Sequence, residues 1–108
     1  MNPFVNPYSY VLDENGEPKH EPDMHEWGRW LVEREADRRI AHTMVGDVRI
    51  STVFLGLDHS FGQCKLSVLW ETMVFGGPHD KYCDRYTSRA DADDGHKRTV
   101  RMVQDSAQ

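Results

Sequence analysis

The fold of this chain is decided by the stretch Val48–Gly77, which reads VRISTVFLGLDHSFGQCKLSVLWETMVFGG. It contains two long apolar runs rich in β-branched and aromatic residues, Val48–Leu57 and Leu66–Phe75. Such runs favour β-strands, and the polar segment Asp58–Lys65 between them predicts a loop. Because no other part of the sequence is comparably apolar, these two predicted strands form the centre of the core.

Apolar side chains occupy both faces of each predicted strand. In the first strand, Ile50 and Phe54 share one face, whereas Val53 lies on the other. A sheet with one solvated face alternates more cleanly between apolar and polar residues. The helices of so short a chain can cover only one face, so we expect a second copy to bury the other, most simply in a homodimer. The alternative is that the arm at residues 1–7 and the loop Glu17–Pro22 fold across it.

Capping residues predict where two helices begin. Asp23 can cap the first helix, and Glu26 follows at the spacing of a capping box. Ser88 and Asp91 repeat this spacing at the start of the second helix, in which we interpret His96 as a hydrogen-bonded core residue. In chain order, the predicted elements are a strand at Tyr8–Leu12, a loop at Glu17–Pro22, a helix from Asp23 to Arg38, a strand at Ile40–Met44, a turn at Gly46-Asp47, the two central strands, an edge strand at Tyr82–Thr87, and a helix from Ser88 with the inner stripe Ala92, His96, Val100 and Val103.

The predicted order of elements is β-α-β-β-β-β-α, in which hairpin connections dominate. Such connections favour a mostly antiparallel sheet with helices packed on it. The sequence therefore predicts an α+β fold with a sheet of four to five strands and two helices. A chain of 108 residues has room for a single domain, 1–108, with an irregular arm at 1–7 and a frayed tail at 104–108.

Composition and charge narrow the classes of function. The chain has 18 acidic and 13 basic residues and a net charge of −5, which argues against nucleic-acid binding. No apolar run approaches the roughly 20 residues of a membrane-spanning helix, and the N-terminus lacks the pattern of a secretory signal. Cys64 and Cys83 are too few for a disulfide framework. We therefore expect no membrane partner and a reducing compartment, the cytoplasm.

The candidates for a ligand or interaction site are Asp58, His59, Glu71, His79 and Arg85. Asp58-His59 lies where a strand ends and a loop begins, a common place for functional residues. In the alternative interpretation, Asp58 stabilises the turn by accepting backbone N–H groups, and His59 points to solvent. Glu71 interrupts an apolar strand, where a carboxylate is costly unless it is paired. Arg49 or Arg85 could pair with it across the sheet.

A metal site would have to use His59, Cys64, His79 and Cys83, the histidines and cysteines whose spacing resembles that of metal ligands. Zinc accepts two thiolates and two imidazoles, but structural zinc sites usually contain a close cysteine pair, which this sequence lacks. We therefore predict no metal and no cofactor. Cys64 could act as a nucleophile only beside a base such as His59, and nothing in the spacing requires that arrangement. No catalytic residue is predicted.

Three segments of the chain resemble a known group of proteins. They are STVFLGLDHSFG at Ser51–Gly62, LWETMVFGG at Leu69–Gly77 and RYTSRADADDGH at Arg85–His96. In these segments the chain resembles a family of small proteins encoded by bacteriophages and prophages, chiefly of actinobacteria. The resemblance covers roughly residues 8–103, most of a single domain. It implies a phage accessory protein that acts in the host cytoplasm, and it implies no particular activity.

Two functions from different classes are compatible with these observations. The two-faced apolar strands and the lack of a compact catalytic set favour a binding module that engages a host protein or complex over an enzyme. The alternative is a small-ligand-binding protein or enzyme with a pocket around Asp58, His59 and Glu71. The alternative requires these side chains to converge in a concave site, whereas a binding module requires an uncovered apolar surface.

Overall fold

The two apolar runs form the middle of an antiparallel sheet. The computed structural model describes residues 5–107. In chain order its elements are β1 (Tyr10–Leu12), β2 (Pro18–His20), α1 (Met24–Glu33), α2 (Glu35–Arg38), β3 (Arg39–Val45), β4 (Val48–Phe54), β5 (Trp70–Phe75), β6 (Cys83–Tyr86) and α3 (Arg89–Ser106). The prediction of an α+β fold with a mostly antiparallel sheet is confirmed.

Strands β3 to β6 are hydrogen-bonded in sequence order, each antiparallel to its neighbour. The β3–β4 hairpin turns at Gly46 and Asp47, as predicted, and Gly46 has the positive φ of +58° that favours glycine. Across the sheet, Thr52 lies opposite Thr72. Residues directly opposite each other point to the same face, so the register assigns each strand residue to one of two faces.

Helix α3 covers one face of the sheet. On this face Ile50, Phe54 and Val74 are completely buried. The buried residues of α3 are Ala92, Gly95, His96, Thr99 and Val103. The predicted inner stripe of the helix is therefore confirmed, except that Val100 is only half-buried. The helix also extends to Ser106, so the tail predicted to fray from residue 104 is helical up to that point.

A chain of hydrogen-bonded polar side chains lies between α3 and the sheet. The His96 ring is 2.8 Å from Thr43 Oγ1 through Nε2 and 2.7 Å from Thr52 Oγ1 through Nδ1. Thr52 is hydrogen-bonded to Thr72, to which the Tyr86 hydroxyl donates at 3.0 Å. One residue from each strand of the sheet thus joins the same network as the helix. The interpretation of His96 as a hydrogen-bonded core histidine is confirmed.

The prediction of a loop over Glu17–Pro22 is wrong at Pro18–His20. These residues form β2, which pairs with β1 so that Pro18 lies opposite Leu12. Proline is tolerated because it is the first residue of the strand, where the ladder does not need its missing N–H. In the predicted arm, Val5 forms an isolated antiparallel β-bridge with Asp23. Residues 1–4 lie outside the described part of the chain.

The N-terminal elements pack at the end of β4, on the same side of the sheet as α3. The Tyr10 N–H donates to the Gly56 carbonyl at 2.8 Å, and Trp27 Nε1 donates to the same oxygen at 2.8 Å. The Trp30 ring meets the Phe54 ring edge-on at 6.0 Å. Because Phe54 points to the α3 side, α1 and α3 cover the same face at different positions along it.

Five predicted elements have shorter bounds than the sequence indicates. The strand expected at Tyr8–Leu12 begins at Tyr10, and the edge strand expected at Tyr82–Thr87 spans Cys83–Tyr86. The helix expected from Asp23 to Arg38 is interrupted at Arg34, which has φ −115° and ψ 31° and separates α1 from α2. The strand Val48–Leu57 ends at Phe54, and the strand Leu66–Phe75 begins at Trp70. Gly56 explains the first of these strand ends, because its φ of +77° interrupts the extended backbone.

The molecule is elongated, with principal extents of 55 × 29 × 24 Å. Its radius of gyration is 15.2 Å, whereas a compact domain of about 100 residues has roughly 13 Å. Of the helices formed by residues 5–107, none is both long and apolar enough to cross a membrane.

Candidate interaction surface

The sheet face opposite α3 is left uncovered by residues 5–107, and we call it the open face. Its exposed apolar side chains include Met44 and Phe75, which are 54% and 37% exposed. By register, the open face consists of three rows across the strands: Arg39, Val53, Glu71 and Arg85; His42, Ser51, Met73 and Cys83; and Met44, Arg49 and Phe75. Apolar side chains occupy its centre, and arginines occupy positions towards its edges and one end.

A shallow depression of about 200 Å³ lies in the middle of the open face. It is lined by Ser51, Val53, Glu71, Met73 and Phe75. These residues come from the two central strands, because alternate positions of β4 and β5 point away from α3. The same alternation that buries Ile50 and Val74 on one side therefore presents Val53 and Met73 on the other.

Glu71 and Arg85 form an ion pair across β5 and β6. Arg85 Nε lies 2.8 Å from Glu71 Oε2, and the Glu71 side chain is only 12% exposed. The cationic partner expected for this carboxylate is therefore Arg85. The hydrogen bond to Glu71 raises the pKa of the Arg85 guanidinium. Partial desolvation, followed by the Glu71 charge, raises the pKa of the neighbouring Cys83 thiol and keeps it protonated.

Arg49 makes a different contact at the other end of the open face. Its guanidinium carbon lies 4.2 Å above the centre of the Phe75 ring, within the range of a cation–π interaction. The ring is thus partly covered by the arginine, although 37% of Phe75 is still exposed.

Asp58 has a structural role in the loop after β4. Its Oδ1 accepts the Ser60 N–H at 2.9 Å, the Ser60 hydroxyl at 2.7 Å and the Val68 N–H at 2.9 Å. Burial alone would raise the pKa of this carboxyl, but the hydrogen bonds from Val68 and Ser60 outweigh it and lower the pKa. The turn-stabilising interpretation of Asp58 is therefore the one that the geometry supports. His59 is half-buried beside Phe61, with ring centres 6.1 Å apart.

The other predicted site residues lie apart from one another. His79 lies in the loop after β5, where its Nε2 is 2.7 Å from Ser106 Oγ at the end of α3. Cys64 and Cys83 are both exposed and unpaired by disulfide. Among residues 5–107, no three His, Cys, Asp or Glu side chains are grouped so that they could hold a metal ion. Of the five candidates, the structure brings together Glu71 and Arg85.

A second concave region, of about 430 Å³, lies between the N-terminal hairpin, α1, α2 and the start of α3. Its lining includes Trp30, Arg34 and Arg89. Both arginines are already paired with acids of their own helical segments, Arg34 with Asp37 at 3.0 Å and Arg89 with Asp93 at 3.1 Å. These pairs are exposed and intrahelical, and they are typical of solvated helix surfaces.

The sequence analysis missed Arg39 and Met44 as residues of the open face, and it named Arg49 only as a possible partner of Glu71. Arg49 carries a signal that could have identified it, because it alternates with the buried Ile50 and shares a face with Ser51 and Val53. The position of Arg39 could not be inferred in this way. A β-bulge between Arg39 and Ala41 places Arg39 opposite Val53, which simple alternation from the hairpin turn does not predict.

In comparisons with protein-family models, with curated proteins and with solved structures, nothing matches this chain.

Proposed function

We propose that this chain is a small binding module that engages another protein through its open face. The observation that supports this function is the position of α1 and α3, which both pack on the same side of the four-stranded sheet. The opposite side presents apolar side chains to solvent, and contiguous exposed apolar surface is characteristic of interaction sites. Burial of this surface by a partner would be favourable by about 25 cal/mol per Å² of apolar area, before the costs of association.

The side chains of the open face suit a protein partner. Met44 and Met73 are unbranched and polarisable, so they can adapt to the shape of an opposing surface. Phe75 supplies a partly exposed aromatic ring, and arginines surround the apolar centre. Aromatic residues, methionine and arginine are the types that are enriched in protein interfaces.

The resemblance to phage proteins extends this proposal to the origin of the chain and its partner. In this proposal a bacteriophage or prophage encodes the chain, and the partner is a host protein or complex in the host cytoplasm. A second copy of the chain is the other occupant that the apolar face could accept, and the homodimer remains a prediction.

A catalytic or small-ligand function receives less support. It would require Asp58, His59 and Glu71 to converge in one pocket. Instead, Asp58 accepts three hydrogen bonds within its own loop, and Glu71 pairs with Arg85 on the sheet. Both carboxylates are thus engaged by separate structural partners.

Affinity capture with matched variants tests the binding function. The wild-type chain is immobilised and exposed to lysate of an actinobacterial host, beside the variant Met44→Glu/Phe75→Glu. The control variant Val32→Glu/Leu66→Glu places the same charges on apolar residues that are 79% and 63% exposed outside the open face. We expect the wild type and the control to recover the same protein and the open-face variant to lose it.

Two results would contradict the proposal. One is recovery of the partner by all three proteins, and the other is recovery of no specific protein together with a co-purifying small molecule. Circular dichroism of each variant establishes that any loss of binding does not reflect unfolding.

A further inference from the structure

We propose that the partner presents an acidic amphipathic helix, which lies on the open face along β4 and β5. This inference rests on the proposed binding function and adds the chemistry of the partner. It follows from the distribution of charge over the strands, from the spacing of the arginines and from the width of a helix.

Charge is segregated between the open face and the rest of the molecule. The strand residues of the open face include three arginines, Arg39, Arg49 and Arg85, and one acid, Glu71. Their formal charge is therefore +2, so the remaining residues must carry −7 for the chain to reach −5. A positive face on a negative molecule favours a negative partner and disfavours approach in other orientations.

The arginines are spaced to flank a helix. Arg39 and Arg85 end the same row, on the first and fourth strands of the sheet. With neighbouring strands about 4.8 Å apart, three intervals separate their backbones by roughly 14 Å. A helix with its side chains is about 10 Å across. A helix over β4 and β5 would therefore lie between the two arginines, with Val53 and Met73 beneath it.

Both edge arginines can reach acidic residues on such a helix. Arg39 is exposed, and the side chain of Arg85 is 49% exposed. Arg85 uses Nε for Glu71, which leaves its terminal nitrogens as donors for a carboxylate of the partner. The helix would then place apolar residues on the central depression and glutamates or aspartates along its two flanks. α3 occupies the other face of the sheet in the same general manner, giving a three-layered arrangement.

A second copy of this chain fits the open face less well than an acidic helix. Among the strand residues of the open face, the one acid is Glu71, which is already paired. Two such faces brought together would place arginines near arginines, and the strand residues of the face supply no unpaired carboxylate to neutralise them.

Single-stranded nucleic acid is also a poorer match. Glu71 lies in the centre of the face, where it would repel phosphates. One face of the Phe75 ring, on which a base could stack, is already occupied by the Arg49 guanidinium, whose carbon lies 4.2 Å from the ring centre.

Titration of the ¹⁵N-labelled protein with defined probes tests the inference by amide chemical shifts. The first probe is a synthetic helical peptide of about 18 residues, long enough to be partly helical when capped at both ends. It carries leucine at helical spacing on one face and glutamate on the flanks. The second probe has lysine in place of each glutamate, and the third is a single-stranded thymidine oligonucleotide.

We expect the glutamate peptide to shift amides of β4 and β5 and to bind more weakly as salt is added. The variant Arg39→Gln/Arg49→Gln should reduce its affinity by on the order of tenfold, since exposed ion pairs each contribute modestly to binding. The variant Arg98→Gln/Arg101→Gln removes the same charge from exposed positions of α3 and should leave the affinity unchanged.

Several results would overturn the inference. They are equal or tighter binding of the lysine peptide, mapping of the oligonucleotide to the open face, equal weakening by the α3 variant, and concentration-dependent shifts of the open face at low salt without any probe. If a captured partner depends on Met44 and Phe75 but not on Arg39 and Arg49, and the glutamate peptide does not bind, the binding function stands and the acidic helix is wrong.

Discussion

Gly95 occupies a position in α3 that has no room for a side chain. A Cβ atom there would lie 2.2 Å from the Tyr86 hydroxyl oxygen and 2.3 Å from Cζ of the same ring. We predict that Gly95→Ala lowers the free energy of unfolding by about 1–3 kcal/mol, because overpacking outweighs the gain in helix propensity. Gly28→Ala is the matched control in α1, where a Cβ would meet nothing within 4 Å. It should stabilise the protein by up to about 1 kcal/mol.

Urea denaturation of both glycine variants measures these effects. The prediction requires changes of opposite sign in the denaturation midpoint. Equal stabilisation by the two substitutions would mean that the Tyr86 ring does not pack against α3 at residue 95.

His96 makes the stability of the fold depend on pH. Burial lowers the pKa of its imidazole below the ordinary value of 6.5, and the nearby His42 lowers it further, while Asp93 partly opposes both. The unfolded chain therefore binds a proton at a higher pH than the folded chain does. Consequently the free energy of unfolding should fall as the pH decreases from about 6.5 towards the lower folded-state pKa, and His96 should contribute no pH dependence above that range.

Thermal unfolding measured at several pH values between 8 and 5 determines this contribution of His96 to stability. The variant His96→Gln provides the comparison, because it retains hydrogen-bonding capacity but cannot titrate. Its stability should decline less than that of the wild type over this range. Parallel curves would show that the folded and unfolded chains protonate His96 at the same pH.

At the scale of elements, the starts of α1 and α3 are held by their capping side chains. Asp23 Oδ1 accepts the N–H groups of His25 and Glu26, and Ser88 Oγ accepts the Asp91 N–H at 3.1 Å. Asp23→Ala and Ser88→Ala should each lower the free energy of unfolding by about 1 kcal/mol. Asp94→Ala, at an exposed position within α3, should change it by less than about 0.5 kcal/mol. Equal denaturation midpoints for all three variants would contradict the assigned caps.

The elements that the sequence predicted well are those determined by local chemistry. The caps at Asp23 and Ser88 and the turn at Gly46-Asp47 depend on a few adjacent residues, and all three are confirmed. The pairing of β2 with β1 was missed because it depends on contacts made by the whole hairpin, which outweigh the weak strand preference of Pro18.

The residues of the open face were predictable only where a local pattern in the sequence marks them. Glu71 was identified because a carboxylate within an apolar strand is unusual, and its pairing with Arg85 follows from the register. The alignment of Arg39 with Val53 depends on a bulge in β3, and a bulge leaves no clear pattern in a single sequence.

At the scale of the whole molecule, the two properties of the open face have opposite effects on self-association. Its apolar centre favours contact with a second copy, as the sequence analysis expects, whereas its arginines repel a second copy of the same face. Repulsion between exposed charges is screened when the Debye length falls from about 30 Å at 0.01 M salt to about 3 Å at 1 M salt. Apolar burial is not weakened in this way. We therefore predict a monomer at low salt and increasing dimerisation as salt is added.

Light scattering over a tenfold range of micromolar concentrations, at both salt concentrations, measures this balance. Met44→Glu/Phe75→Glu should remove the association at high salt, because it replaces the exposed apolar contacts of the open face with charges. Val32→Glu/Leu66→Glu should retain it, since those residues lie outside that face. A dimer at low salt that does not dissociate on dilution would establish the homodimer expected from the sequence. It would also show that apolar burial outweighs the repulsion between arginines, which would remove the charge argument for an acidic partner.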